Sequence, residues 1–386
     1  MEFNLSAGPS GATPATLAAL SRPIMNHQDP VFAEFYEQTA ELLRRAFATE
    51  RTPVILHGEA VLGLEAAAAS AISARDVVLN LVSGLYGRYY GDWARRYARE
   101  VIDLEVPFNS AVPAGAVAEA LARRPDVTVV TVVHCDTPSG TVNELDAIAT
   151  VVQDHGALLI VDAVSTFGGI PCDFDRWGAA LAVTAPQKCL GGPPGLSLLH
   201  VSDAAWERMA ANPAAPRGSF LSILDWHDAH QAGVRFPFTP SVSDIYALRA
   251  CLEQYLAEGP ENVWRRHRVT ARAAQAGTEA LGLALWATDP AVRSDTATAI
   301  RMPAGIDERD VRVRARAESG VTLSEGIGGE MEGIVVRIGH MGPNAYPMGP
   351  VIALTAIGRA LRGLGAKADI GAAVEAAIAA ADRADA

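Results

Sequence analysis

Three residues carry functional groups that could together work on a carbonyl: Asp162, Lys188 and Arg337, each in or just after a short apolar run. Lys188 stands out first, because the chain holds only two lysines, Lys188 and Lys367, and writes the other 30 of its 32 basic positions as arginine. Arginine supplies charge but stays protonated, whereas a lysine amine can lose its proton near neutral pH and condense with a carbonyl. Lys188 lies in Thr184-Ala185-Pro186-Gln187-Lys188-Cys189-Leu190-Gly191-Gly192-Pro193-Pro194-Gly195, too rich in proline and glycine for an ordinary solvated face. The competing account is a capping or surface lysine, which is how Lys367 reads in the helical tail.

Asp162 follows the run Ala157 to Val161 and precedes Ala163-Val164-Ser165-Thr166. A carboxylate there can cap a turn, or it can pair with a cation such as a protonated pyridine nitrogen and keep that ring an electron sink. Thr137, in the turn His134-Cys135-Asp136-Thr137-Pro138-Ser139-Gly140-Thr141, can bond a ring hydroxyl or close its own turn. Tyr86, in Ser83-Gly84-Leu85-Tyr86-Gly87, is expected to project from a tight loop, where it can stack on a flat ligand or seal a core. Glu59 falls where a helix is expected to begin, near Val61. Helix N-termini attract anions, so Glu59 is either a routine capping acid or a carboxylate that already fills an anion site. In the second case it repels a phosphate, at about 4 kcal/mol per unit charge pair for a 4 Å separation and an effective dielectric near 20. The Arg337 guanidinium can grip a carboxylate through two charge-assisted bonds, or form a salt bridge in a smaller domain.

These residues need a scaffold that brings strand ends together. Pro53 to Leu56, Val77 to Val82, Val127 to Val133, Ala157 to Val161 and Leu181 to Thr184 read as buried strands. Leu62 to Ile72, Val117 to Arg123 and Leu145 to Gln153 read as helices between them. Continuous apolar strands alternating with helices predict an α/β fold with a parallel sheet covered on both faces, and ligands then sit beyond the carboxyl ends of the strands. Asp162 and Lys188, after successive strands, fall at one edge. Further on, Asp244 to Leu256, Val263 to Leu281, Gly349 to Leu364 and Ile370 to Ala381 read as helices, with strands at Thr296 to Met302 and Gly333 to Ile338. The expected division is an N-terminal arm over 1–20, a large domain over 21–259 and a smaller α+β domain over 260–386.

The chain has 386 residues, 49% of them apolar, and can bury a large core. A net charge of −12 and a pI near 5.2 oppose nucleic acid and anionic membranes as partners, leaving small molecules. The opening MEFNLSAGPS lacks a basic and then apolar leader, and no stretch approaches about 18 uncharged apolar residues, so the expectation is a cytoplasmic protein. Cys135, Cys172, Cys189 and Cys251 have no metal or redox spacing and read as reduced packing thiols, with no metal expected.

Asp162, then Lys188 in its Gln-Lys-Cys-Leu-Gly-Gly-Pro-Pro-Gly loop, then Arg337-Ile338-Gly339-His340-Met341-Gly342, with Ser6-Ala7-Gly8-Pro9 before them, resembles the fold type I, class V transaminases of the alanine-glyoxylate and serine-pyruvate group. The likeness spans essentially the whole chain. Within the group, His57-Gly58-Glu59, Gly63-Leu64-Glu65-Ala66-Ala67-Ala68-Ala69-Ser70 and Gly339-His340-Met341-Gly342-Pro343 are most similar to the pyridoxamine-pyruvate branch. Other members usually have a phosphate-gripping Ser, Gly or Thr where Glu59 stands.

The resemblance implies a large domain with a mainly parallel seven-stranded sheet between helices, and a smaller C-terminal α+β domain. It implies Lys188 as the carbonyl-condensing lysine and proton shuttle, Asp162 as partner of the pyridine nitrogen, Tyr86 as the stacking ring and Thr137 as partner of the ring hydroxyl. Glu59 would face the 5'-hydroxymethyl group, Gln187 would join the ring contacts, and Arg337 with Gly8 would meet the keto acid. It further implies that the B6 ring is unphosphorylated and is itself a substrate, so no tightly bound cofactor is expected: pyridoxamine and pyruvate would give pyridoxal and L-alanine. The alternatives are a transaminase holding pyridoxal 5'-phosphate, and a non-catalytic B6-binding protein. A homodimer or homotetramer is implied, with Pro9, His27 and Tyr246 at or beside the interface. One departure concerns Ser324-Glu325-Gly326-Ile327-Gly328-Gly329-Glu330, which has no basic residue where that branch carries one and so puts the choice of keto acid in question.

Overall fold

The computed structural model describes residues 2–231 and 233–385. Val77–Val82, Val129–Val133, Ala179–Thr184 and Leu196–Val201 are buried along their whole length, as a sheet covered on both faces requires. The seven strands lie in the order Val54–His57, Leu196–Val201, Ala179–Thr184, Leu158–Asp162, Val129–Val133, Val77–Val82, Glu100–Glu105. Leu196–Val201 is antiparallel to both neighbours and every other pairing is parallel, so the sheet is mainly parallel as expected.

Two of these strands carry little sequence signal. Glu100–Glu105 is an edge strand that turns Glu100, Asp103 and Glu105 to solvent, and its charges hide it. Leu196–Val201 follows the Pro-Gly-rich lysine loop without a helix between, and so must return antiparallel. Register then sets the site: Val133 pairs with Asp162 and Asp162 with Val183, so three strands end level at one edge.

The second sheet has the order Ala284–Leu285, Ala297–Arg301, Val335–Gly339, Ser324–Glu325, all antiparallel. It packs with the helices Pro260–Ala280, Met348–Gly363 and Ile370–Asp385 around a core that includes Ala273, Ile338, Leu354 and Ala377. The chain enters this part at Gly259, which takes φ +87°, with Pro260 opening the helix at a position where its missing N–H is not needed.

The first residues tie the two sheets together. Phe3–Asn4 pairs with Val321–Thr322, Leu5 enters the smaller core, and the helix Pro14–Leu20 lies against Val242–Glu258. Between these anchors, residues 6–10 cross the edge where the large-sheet strands end. Among the described residues no helix is long and apolar enough to cross a membrane.

Candidate active site

A cavity of about 290 Å³ opens at that edge, lined by Glu59, Tyr86, Thr137, Asp162, Gln187 and Lys188 among others. Gly8 and Pro9 close it from the strap. Lys188 Nζ donates to the Ala7 carbonyl at 3.0 Å. Gly8 makes room for that amine: it sits at φ +126°, and a Cβ there would fall 2.2 Å from Lys188 Nζ. Ser10 holds the loop's backbone, its N–H reaching Gln187 O at 2.8 Å and its hydroxyl Lys188 O at 2.7 Å. Burial, and then the Arg337 charge, bring the Lys188 amine down to about 8, so an appreciable fraction is neutral near pH 7.

Asp162 caps its turn and also faces the cavity. Its Oδ1 accepts the Val164 N–H at 2.9 Å, and the residue also lines the cavity. Burial pushes its carboxyl up to about 7, opposed by the Val164 N–H and by Lys188. A cation placed in the cavity would restore its charge.

Glu59 is the N-cap residue of the helix Ala60–Ala71, but its side chain makes no capping bond. The turn is fixed from elsewhere: the Ser197 hydroxyl accepts the Gly63 N–H at 3.1 Å and donates toward the carbonyls of Glu59 at 2.8 Å and Gly58 at 2.9 Å. The Glu59 carboxylate is thus exposed at the cavity beside the helix N-terminus, and the routine-cap account does not hold.

Tyr86 requires a correction. It lies in the first turn of the helix Leu85–Arg95 and not in a tight loop, because the glycines at 84 and 87 serve close packing at the helix start. Its phenol is pushed up to about 12, mainly by burial, and stays neutral. Thr137 stands in a small hairpin, Cys135–Asp136 against Thr141–Val142, and its hydroxyl is hydrogen-bonded to Ser165. Ser165 also lines the cavity; its only sequence signal was its place just after the Asp162 strand. Gln187 Oε1 is buried with no hydrogen-bond partner, an acceptor that a ligand donor could satisfy.

Arg337 lies outside the cavity lining. Buried in the strand Val335–Gly339, it donates from Nε to the Glu325 carbonyl at 2.7 Å, and its charge acts on Lys188, Tyr86 and Asp136. Burial lowers it to about 10, still charged at neutral pH. Tyr246 is also away from the cavity: its hydroxyl accepts the Met25 N–H at 3.0 Å and donates to Pro23 O at 3.2 Å. His27 packs near Phe236, with ring centroids 6.5 Å apart. Cys189 is a buried packing thiol whose ionisation burial opposes, and no metal-binding cluster occurs among the described residues.

Residues 102–337 match the aminotransferase class-V family. The chain is 51% identical over 380 residues to the pyridoxamine–pyruvate transaminase of Mesorhizobium japonicum, covering 98% of this chain and 96% of that protein. It belongs to the class V aminotransferases. The crystal structure of pyridoxamine-pyruvate aminotransferase from Mesorhizobium loti superposes with a TM-score of 0.97 at 51% identity, over 99% of this chain and 97% of that one. Ureidoglycine-glyoxylate aminotransferase from Bacillus subtilis, at 28% identity, superposes with a TM-score of 0.93 over 99% and 98%. As a class V aminotransferase the chain is a transaminase of fold type I, and its strand-end cavity is the candidate for the chemistry.

Proposed function

We propose that this transaminase transfers the amino group of pyridoxamine to pyruvate, giving pyridoxal and L-alanine, with the B6 ring as a substrate that enters and leaves. The free Glu59 carboxylate at the N-terminus of Ala60–Ala71 carries this reading. That helix end is where a phosphate would otherwise be held, and a carboxylate beside it favours a neutral hydroxymethyl group. The 51% identical pyridoxamine–pyruvate transaminase supports the same substrate pair.

A bound pyridine ring supplies an electron sink for charge developing at the reacting carbon. Asp162 holds a proton on the ring nitrogen, Tyr86 covers a ring face, Thr137 bonds the ring hydroxyl, and Gln187 offers its open acceptor. Lys188 moves a proton between the two reacting carbons, its lone pair made available by burial and by Arg337. Arg337, anchored through Nε, turns its remaining N–H groups to the keto-acid carboxylate, and Gly8 leaves the space in which the amine works.

The test is a rate comparison of pyridoxamine with pyridoxamine 5'-phosphate, each with pyruvate. Pyridoxal should form, with kcat/KM at least about 100-fold higher for the unphosphorylated ring, and Glu59→Ser should narrow that gap. Equal or faster turnover of the phosphate, or purified protein carrying stoichiometric phosphorylated cofactor, would sink the reading. Lys188→Ala should abolish turnover.

A further inference from the structure

Asp136 is fully buried, and none of the roles described above is given to it. Its backbone is locked in the hairpin: Asp136 O accepts the Gly140 N–H at 2.9 Å and the Ser139 hydroxyl at 3.1 Å. Its side chain leaves the hairpin for the helix Leu85–Arg95, where Oδ2 accepts the Tyr86 N–H at 2.8 Å. That helix has no cap of its own, because its N-cap residue is Gly84. Of its first-turn amides, that of Tyr86 is bonded by this carboxylate from another part of the chain, and those of Leu85 and Gly87 also favour its charge. Gly84 is needed for the approach, since a Cβ would lie 2.0 Å from Asp136 Cγ.

An uncharged cap within the helix would satisfy the same amides without burying an acid, whose carboxyl burial pushes up to about 6. What the distant carboxylate adds is a fixed relation between two walls of the cavity. Thr137, the next residue, lines one wall, and Tyr86, whose own N–H is held, lines another.

We propose that Asp136 is a positioning residue that sets the Tyr86 ring against the face of the bound B6 ring, at a fixed distance from the Thr137 and Asp162 edge. This rests on the reading in which Tyr86 stacks on pyridoxamine. Asp136 is not part of the cavity lining, and it positions the ring through Tyr86.

The experiment is a double-mutant cycle on the full-length enzyme, with KM measured separately for pyridoxamine and for pyruvate. Protein that is lost irreversibly lowers kcat and leaves both KM values alone, and a rise confined to pyridoxamine in a variant shown to be fully folded at the assay temperature is not a loss of stability. Asp136→Ala should raise the pyridoxamine KM about tenfold and leave the pyruvate KM within about twofold, and Asp136→Asn, which keeps an acceptor oxygen, should recover most of the loss. Tyr86→Ala should also raise the pyridoxamine KM, and adding Asp136→Ala to it should raise that KM no further. An unchanged pyridoxamine KM in Asp136→Ala, or additive effects in the double variant, overturns the proposal while leaving the stacking reading intact. An unchanged KM in Tyr86→Ala removes the stacking reading and this proposal with it. Should Asp136→Ala not fold, Asp136→Leu, close to aspartate in shape but with no acceptor for the Tyr86 N–H, takes its place in the cycle with the same expected and overturning outcomes.

Discussion

Lys188 can act as a base only with its lone pair free, so the pH at which it deprotonates shapes the acid side of the rate profile. Burial is the first cause that brings it to about 8 and the Arg337 charge the second. Arg337→Met removes only the second, so the acid limb of kcat/KM should move to higher pH without reaching that of an ordinary lysine. On the proposed role of Arg337 as the keto-acid grip, the pyruvate KM should rise about 10- to 100-fold. A limb that stays put would disprove the coupling. Asp162 gives the opposite kind of test. Its folded carboxyl is held near 7 against an ordinary 3.8, so the folded state favours the protonated form and loses stability as pH rises through that window. Asp162→Asn should therefore unfold at a higher temperature than the parent at about pH 8, by on the order of 2 kcal/mol, with the advantage fading toward about pH 4 while turnover collapses. Thermal unfolding without ligand at the two pH values decides it. A carboxylate that costs stability without ligand and is kept at the site is consistent with a cationic ring being its partner.

At the scale of elements, the helix Ala60–Ala71 and the strand Leu196–Val201 meet at Gly63 and Ser197, where a Cβ on Gly63 would lie 2.6 Å from Ser197 Cβ. The Ser197 hydroxyl joins the Gly63 N–H to the Glu59 carbonyl, so the strand holds the turn that presents Glu59. Ser197→Ala should cost about 1–3 kcal/mol in urea unfolding and reduce the preference for pyridoxamine over its phosphate. Unchanged discrimination would show that Glu59 is placed without that bond. The sequence makes Glu59 legible, because an acid before an Ala-rich helical run is unusual at a phosphate-type turn, yet it says nothing of Ser197. Ser197 lies 138 residues away in a strand whose polar positions, Ser197 and His200, interrupt its apolar pattern. Val77–Val82 was legible over its full span because a doubly covered strand must be apolar throughout, whereas Glu100–Glu105 was hidden by the solvent-facing charges that suit an edge. Tyr86 was visible as a residue but not as part of a helix, since the signal that starts Leu85–Arg95 is a carboxylate in another turn. Local pattern reads the elements that bury a face; contacts between distant segments place the side chains on them.

Across the whole molecule, the loop that carries Lys188 is held from two directions. The N-terminal strap supplies the Ala7 carbonyl to Nζ and Ser10 to the loop backbone. The C-terminal part supplies the turn at Gly342, whose N–H is accepted by His267 Nε2 at 3.1 Å and whose carbonyl accepts Arg266 Nη1 at 2.6 Å. A Cβ on Gly342 would come within 3.1 Å of Lys188 O, so this turn packs directly on the lysine loop. Strap and second sheet meet at Gly339, which donates its N–H to Leu5 O at 2.8 Å. A Cβ on Gly339 would lie 2.0 Å from Ser6 O and 2.6 Å from Ala7 Cα, and backbone cannot yield as a flexible side chain can. Gly339→Ala must therefore displace the strap at the residues that hold the amine, although Gly339 does not itself line the cavity. Overpacking should cost about 1–3 kcal/mol of stability, whereas misplacing a reacting amine by roughly 1 Å costs about 100-fold in rate. The expected variant remains folded by circular dichroism, with a modestly lower melting temperature and kcat reduced about 100-fold. A kcat within about twofold of the parent, in protein that has kept its fold, would mean that the strap does not position Lys188.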